Sequence, residues 1–261
     1  IAQCLVGSEM CIRDSINNNI FSALLGRFYT IQQAGYYSQG SKWTTMGYST
    51  IFGMINSVGQ PVFREASEDR QRLQNIFRKL MRFTAFVSFP AMLGLAIVSQ
   101  ELIVISITEK WLPCVPVMQI LCVWGAFMPI STLYSNLMNS IGRPNVYMWN
   151  TIALGIFQLL CVWGSYPYGL NIMLIVYTAA NIFWLLIWHY FAHKHIGISL
   201  LNTLKDIAPY LIISVAVMTF TYWVAGYVKN IYLSLLVKIA LAASPVSYTH
   251  LRAHETLSDL V

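Results

Sequence analysis

The chain is a succession of apolar runs of about 20 residues separated by short polar stretches. A run of that length crosses the hydrocarbon layer as a helix, because lipid offers no partner to an open backbone. Six runs are complete: Trp43 to Val62, Leu80 to Ser99, Cys114 to Met138, Val146 to Ser165, Tyr168 to Trp188 and Ala208 to Val228. Two are incomplete, a stub ending near Gly26 and a last run from Ile231 to Ala243. The pattern predicts an all-α integral membrane protein that crosses the bilayer many times. Gly53, Gly59, Pro61, Pro90, Gly94, Gly125 and Pro129 fall inside runs, where membrane helices tolerate them.

Composition agrees, with 57% hydrophobic and 10% charged residues against about 45–50% and about 25% in soluble domains. The net charge of +6 comes from loops and not from a patch that could track phosphates, so nucleic acid is not expected as a partner. One side of the membrane would hold Arg64, Arg70, Arg72, Arg78, Lys79, Arg82, Arg143, Lys194 and Lys205, and the other only Arg27, Lys42, Lys110 and Lys229. The positive-inside rule puts the first group in the cytoplasm. "REASEDRQRLQNIFRKLMR" (64–82) reads as a solvated helix-loop that locks this topology, and "SLLNTLKDI" (199–207) as a short amphipathic piece lying at the interface. Cys114, Cys122 and Cys161 sit in apolar runs and read as small core residues.

Polar residues recur inside the runs. Ser41, Thr45, Ser49, Asn56 and Gln60 fall at about four-residue steps, which sets them on one helix face. At membrane depth such a face meets protein or water; Ser and Thr suit helix packing, while Asn56 and Gln60 leave packing and cavity lining both open. Thr132, Ser135, Asn136 and Asn139 form a second stripe, Asn17, Asn18 and Asn19 crowd the first stub, and Asn150 and Asn181 read as interhelical hydrogen bonders. Arg27 and Arg64 close runs, where an arginine either serves function or extends to the interface; Lys238 lies inside the last run. No hydrolase elbow, phosphate loop or dinucleotide fingerprint occurs. His189, His193 and His195 straddle a helix end and read as an interfacial belt rather than a metal site.

Four strings, "NNNIFSALLGRFYTIQQAGYYSQGSKW", "VFREASEDRQRLQNIFRKLMRFTAFVSFPAMLGLAI", "TEKWLPCVPVMQIL" and "NSIGRPNVYMW", are similar in order and spacing to the C-terminal half of Wzx-type lipopolysaccharide or exopolysaccharide exporters. These belong to the multidrug/oligosaccharidyl-lipid/polysaccharide flippase superfamily. The resemblance covers about Asn17 to Ala243 and implies one bundle, about six complete and two truncated helices, of a two-bundle flippase in the bacterial inner membrane. The implied activity is transfer of an undecaprenyl-pyrophosphate-linked oligosaccharide from the cytoplasmic to the periplasmic leaflet, with no catalysis and no cofactor. Its partners would be that substrate, membrane lipids and the missing N-terminal half, without which the bundle would be inactive. Such a substrate needs cations for pyrophosphate, for which Arg27 and Arg64 are candidates. It also needs a hydrophilic cavity, for which Asn18, Asn19, Asn56, Gln60, Asn136 and Asn139 are candidates. A drug or cation antiporter of the superfamily would carry a carboxylate in a span, whereas Glu101 and Glu109 are expected in a periplasmic loop. A membrane polymerase or glycosyltransferase would carry a large periplasmic loop, and every loop on that side is short.

Two stretches depart from the pattern. IAQCLVGSEMCIRDS carries Cys4 and Cys11, and VSYTHLRAHETLSD carries His250 and His254, residue types that bind zinc. A permitted codon choice for Ile1 to Ser15, read on the opposite strand, encodes Val246 to Asp259 without a break. The ends therefore read as an inverted DNA repeat whose core looks like a transposase adapter of sequencing libraries. Residues 1–15 and 245–261 are taken as non-native translated adapter, leaving 16–244 as the membrane bundle and no metal site.

Overall fold

The computed structural model describes residues 25–227 and 232–241. Asn17, Asn18, Asn19 and both stretches read as adapter lie outside the described residues. Seven helices follow: α1 Ile31–Glu65, α2 Arg70–Ser106, α3 Val115–Ser140, α4 Pro144–Ser165, α5 Leu170–Ile196, α6 Leu200–Ala225 and a short apolar α7, Tyr232–Leu241. The described residues contain no strand. Helices α2 to α6, two of them extended by a 3-10 turn, are long and apolar enough to cross a membrane. Helix α1 has the length, at 35 residues, but its polar positions keep it out of that apolar set.

Local chemistry sets the ends. Thr30 and Gln33 form a reciprocal capping box at the start of α1, each side chain accepting from the other's backbone N–H at 3.3 and 3.2 Å. Asp69 caps α2 by accepting from the N–H groups of Gln71 and Arg72. Gly197, in the left-handed region at φ 77°, ends α5. Pro61, Pro90, Pro129 and Pro209 lie within continuous helices. Because α6 runs unbroken from Leu200, the amphipathic piece at 199–207 is no separate interfacial helix: Thr203 and Asp206 on one face are buried while Leu201 and Leu204 are exposed. The charged stretch 64–82 is likewise mostly ordered, as the end of α1, a tight turn and three turns of α2.

Helix α3 is the hub. It packs against α1, α2 and α5, while α6 lies on α2 and α4 on α5. Phe63, Phe77, Met81, Leu133, Tyr134 and Leu137 form part of the main core, and a smaller cluster of Leu25, Val117, Leu121, Val162, Met173 and Leu174 closes the other end. Close approach needs small residues: a Cβ on Gly40 would stand 3.1 Å from Val117 Cγ1 and 3.2 Å from the Met118 backbone nitrogen. Cys114 and Cys122 are buried, the latter 3.8 Å from the Thr44 hydroxyl. At the basic face Arg78 forks onto Asp206 at 2.7 and 3.1 Å, fixing α6 to α2, and Arg82 approaches the same carboxylate.

Gly40→Val should push α1 off α3 and destabilise the fold by about 1–3 kcal/mol, as overpacking of a tight contact does. Gly53→Val, where no atom lies within 4 Å of an added Cβ, should change stability by no more than about 0.5 kcal/mol. Thermal unfolding of the two variants in one detergent checks the pair.

Candidate functional site

The depth of the membrane can be read from α1 against α3. Gly40 stands beside Val117 at the start of α3, and Gln60 bonds Asn136 near its end. Residues 40–60 thus span roughly 30 Å at 1.5 Å per residue, the thickness of the hydrocarbon layer. Within that stretch polar residues occupy two different settings.

Asn56, Gln60 and Asn136 form a clamp between α1 and α3. Gln60 Nε2 donates to Asn136 Oδ1 at 3.2 Å, and Asn136 Nδ2 donates to Asn56 Oδ1 at 2.9 Å. Ser140 Oγ adds a bond to the Gln60 carbonyl. Gly59, whose missing Cβ would lie 3.4 Å from Asn136 Nδ2, leaves room for that amide. Asn136 is buried and the two α1 amides are half-buried. Asn139, one turn on, is half-buried beside the clamp. Thr132 and Ser135 donate to carbonyls of their own helix. Asn150 accepts from the Trp184 indole at 2.7 Å, and Asn181 accepts from Gln158 at 2.8 Å, so both join neighbouring helices as expected.

The second setting is the exposed face of α1. Thr45, Ser49, Gly53 and Ser57 lie on one four-residue row, and every one is exposed. The adjacent row, Ser38, Lys42, Met46, Thr50, Met54 and Val58, is exposed too. Lys42 stands at one margin of the membrane-depth stretch, and Arg64, also exposed, stands one turn beyond the other margin. The exposed residues of α4 are of another kind: Trp149, Ile152, Ile156, Leu160 and Trp163. Those of α6 include Ile212, Ile213, Val215 and Phe220. Ser49 and Ser57 donate to carbonyls three residues back, so the row is satisfied within its own helix while remaining open.

The two candidate arginines are not brought together. Arg27 is exposed ahead of α1, near the stacked Phe28 and Tyr166, and Arg64 closes its other end. Thirty-odd helical residues place roughly 50 Å between them, so one pyrophosphate cannot bridge both. The five-residue stripe of the sequence also divides. The seven-residue step from Ser49 to Asn56 moves to the neighbouring row, which lies against α3, leaving Thr45 and Ser49 outside and Asn56 and Gln60 inside. Continuing the four-residue step from Ser49 to Gly53 and Ser57 would have followed the open face.

Two placements correct the sequence reading. Glu101 is no loop residue: α2 continues five residues past it, and it is buried. Lys238 of α7 pairs with it at 2.5 Å and also donates to the Ile97 carbonyl at 3.1 Å, while Ser234 donates to the same carboxylate oxygen at 3.0 Å. The apolar run ending at Ser99 hid the last two turns of that helix. His189 is no surface belt residue either, being buried with Nδ1 3.2 Å from the Tyr134 hydroxyl. His193 turns back to the Ile198 carbonyl. Among the described residues no three His, Cys, Asp or Glu side chains converge on a point that could hold a metal.

Known proteins resemble this chain in three ways. A family described as polysaccharide biosynthesis protein matches residues 6–116. An uncharacterized membrane protein in the cps region of Klebsiella pneumoniae is 31% identical over 147 residues, 56% of this chain and 30% of that protein. Lipopolysaccharide biosynthesis protein WzxC of Escherichia coli is 27% identical over 54% of this chain and 29% of its own length. Teichuronic acid biosynthesis protein TuaB of Bacillus subtilis is 26% identical over 53% and 29%. The chain covers under a third of the length of these curated relatives. In structure it is similar to lipid II flippase MurJ in an inward closed conformation, with a TM-score of 0.63 and 18% identity over 85% of this chain and 48% of that one. The chain therefore resembles polysaccharide biosynthesis proteins in sequence, and its helical fold matches about half of the MurJ structure.

Asn136→Ala should remove both interhelical bonds of the clamp. Interhelical hydrogen bonds in membranes average about 0.6 kcal/mol each, so a loss of about 1–2 kcal/mol is expected, with Asn139→Ala near neutral. Unfolding of both variants in detergent measures the difference.

Proposed function

We propose that this chain is one helical bundle, the C-terminal half, of a flippase for lipid-linked oligosaccharide in the bacterial inner membrane. The observation that carries this reading is the exposed row Thr45, Ser49, Gly53 and Ser57, which runs through the membrane depth on α1. A row of hydroxyls and bare backbone gives sugar hydroxyls both donors and acceptors, and gives lipid tails little. A second bundle facing it would enclose a hydrophilic path, the arrangement of transporters built from paired bundles. The polysaccharide functions named for WzxC and TuaB support the substrate class, and an undecaprenyl-pyrophosphate carrier fits it.

In this scheme Arg64, on the basic face, meets the pyrophosphate as the substrate enters from the cytoplasm, and Arg27 meets it at release. The two act in succession because about 50 Å separates them. Lys42 stands between, at the margin of the open face. Asn56, Gln60 and Asn136 hold α1 at a fixed angle to α3, and Asn139 flanks them; their contribution to the sugars is indirect unless the clamp opens. Transport requires no bond to be made or broken, so no catalytic residue is assigned. The cation-antiporter reading gains a buried carboxylate from Glu101, but Lys238 already matches that charge, so it offers no free site for a cation.

The test is export by the complete protein in a strain lacking its own exporter. Arg64→Ala and Arg27→Ala should each lower surface polysaccharide about tenfold, the value of one charge-assisted bond to phosphate, without lowering membrane abundance. Lysine at either position should restore only part of it, since an ammonium lacks the two-pronged fork. Unchanged export for an alanine variant removes that arginine from the path.

A further inference from the structure

Arg70, Arg143 and His195 reach one cavity of about 210 Å³ from three different junctions: the α1–α2 turn, the α3–α4 turn and the end of α5. Leu73, Ile141 and Ile196 supply apolar wall, and Ser67 and Glu68 complete the lining. The arginines here differ from three others of the basic face. Arg72 is paired with Glu65, and Arg78 and Arg82 with Asp206; among the described residues no carboxylate lies within ion-pair distance of Arg70 or Arg143.

Arg70 is also held in place. Its Nε donates to the Ile196 carbonyl at 3.0 Å, and Gln74 donates to the same oxygen. Gly197 makes room for it: the backbone there is at φ 77°, and a Cβ would sit 2.5 Å from Arg70 Nη2. The guanidinium is thus tethered through one nitrogen, and its remaining N–H groups have no acceptor among the described residues. The cavity lies where the ends of α3 and α5 meet the start of α2, level with the lipid headgroups.

We propose that this cavity binds the phosphodiester headgroup of an anionic phospholipid in the leaflet on the basic face. Guanidinium groups match phosphate oxygens in fork geometry, basic pockets between helix ends at headgroup level suit such lipids, and the isoleucine and leucine walls accept the glycerol end of the acyl chains. The proposal is independent of transport. A phosphate could also arrive free in solution, and the test separates the two sources.

The full chain is placed in nanodiscs of phosphatidylcholine doped with phosphatidylglycerol and examined by native mass spectrometry. Phosphatidylglycerol should be retained in preference to phosphatidylcholine, and Arg143→Ala should lower that retention about tenfold, the loss of one charge-assisted bond. Arg143 is exposed at a turn, so its removal leaves the core intact. Lys194→Ala removes the same charge from an exposed neighbour outside the cavity and should leave retention unchanged. Equal retention of the two lipids, or equal losses in the two variants, would overturn the proposal. Arg143-dependent binding of inorganic pyrophosphate in pure phosphatidylcholine nanodiscs, without phosphatidylglycerol preference, would overturn the lipid assignment in favour of a soluble phosphate.

Discussion

A polar side chain at membrane depth has to find another polar group, its own backbone or water, because the acyl chains supply no partner. That constraint sorts the polar residues of this chain into the roles they hold. The amides Asn56, Gln60 and Asn136 find one another across α1 and α3. Asn150 and Asn181 find Trp184 and Gln158. Glu101 and Lys238, either of which alone would oppose insertion, neutralise each other and draw α7 onto α2. The hydroxyls of Ser49 and Ser57 turn to carbonyls of their own helix, in a polar row that no described neighbour covers.

The row depends on the tight packing behind it. Gly40 lets the start of α3 approach α1 within contact of its backbone, and Gly59 lets the Asn136 amide in. Helix α3 thereby packs against α1, α2 and α5, and α1 turns its other side away. On α4 and α6 the side turned away is Ile, Leu, Trp and Phe, as for helices that meet lipid; on α1 it is Thr, Ser, Gly and Lys between methionines. Two kinds of exposed surface on one bundle imply two kinds of surroundings.

Much of this was legible in the residues. Run lengths located every described spanning helix. The lone asparagines were correctly assigned to interhelical bonds. What hydropathy could not locate was the true end of a helix with a buried ion pair, since Glu101 looks like a loop residue until Lys238, 137 positions away, is seen against it. Nor could a stripe count separate the two rows of α1, because an arc broad enough to hold Ser49 and Asn56 spans the boundary set by α3. His189 looked interfacial for the same reason: its partner, Tyr134, is on another helix.

The proposed hydrophilic path requires the open row of α1 to face water. Single cysteines at Thr45, Ser49, Gly53 and Ser57, in a cysteine-free background of the complete protein in native membranes, can be challenged with a small membrane-impermeant thiol reagent. Positions Ile156 and Leu160 on α4 serve as the lipid-facing reference. Labelling of the α1 row well above the α4 reference is the predicted result; labelling no higher than at Ile156 and Leu160 would mean that α1 faces lipid or a dry interface, and would contradict the account.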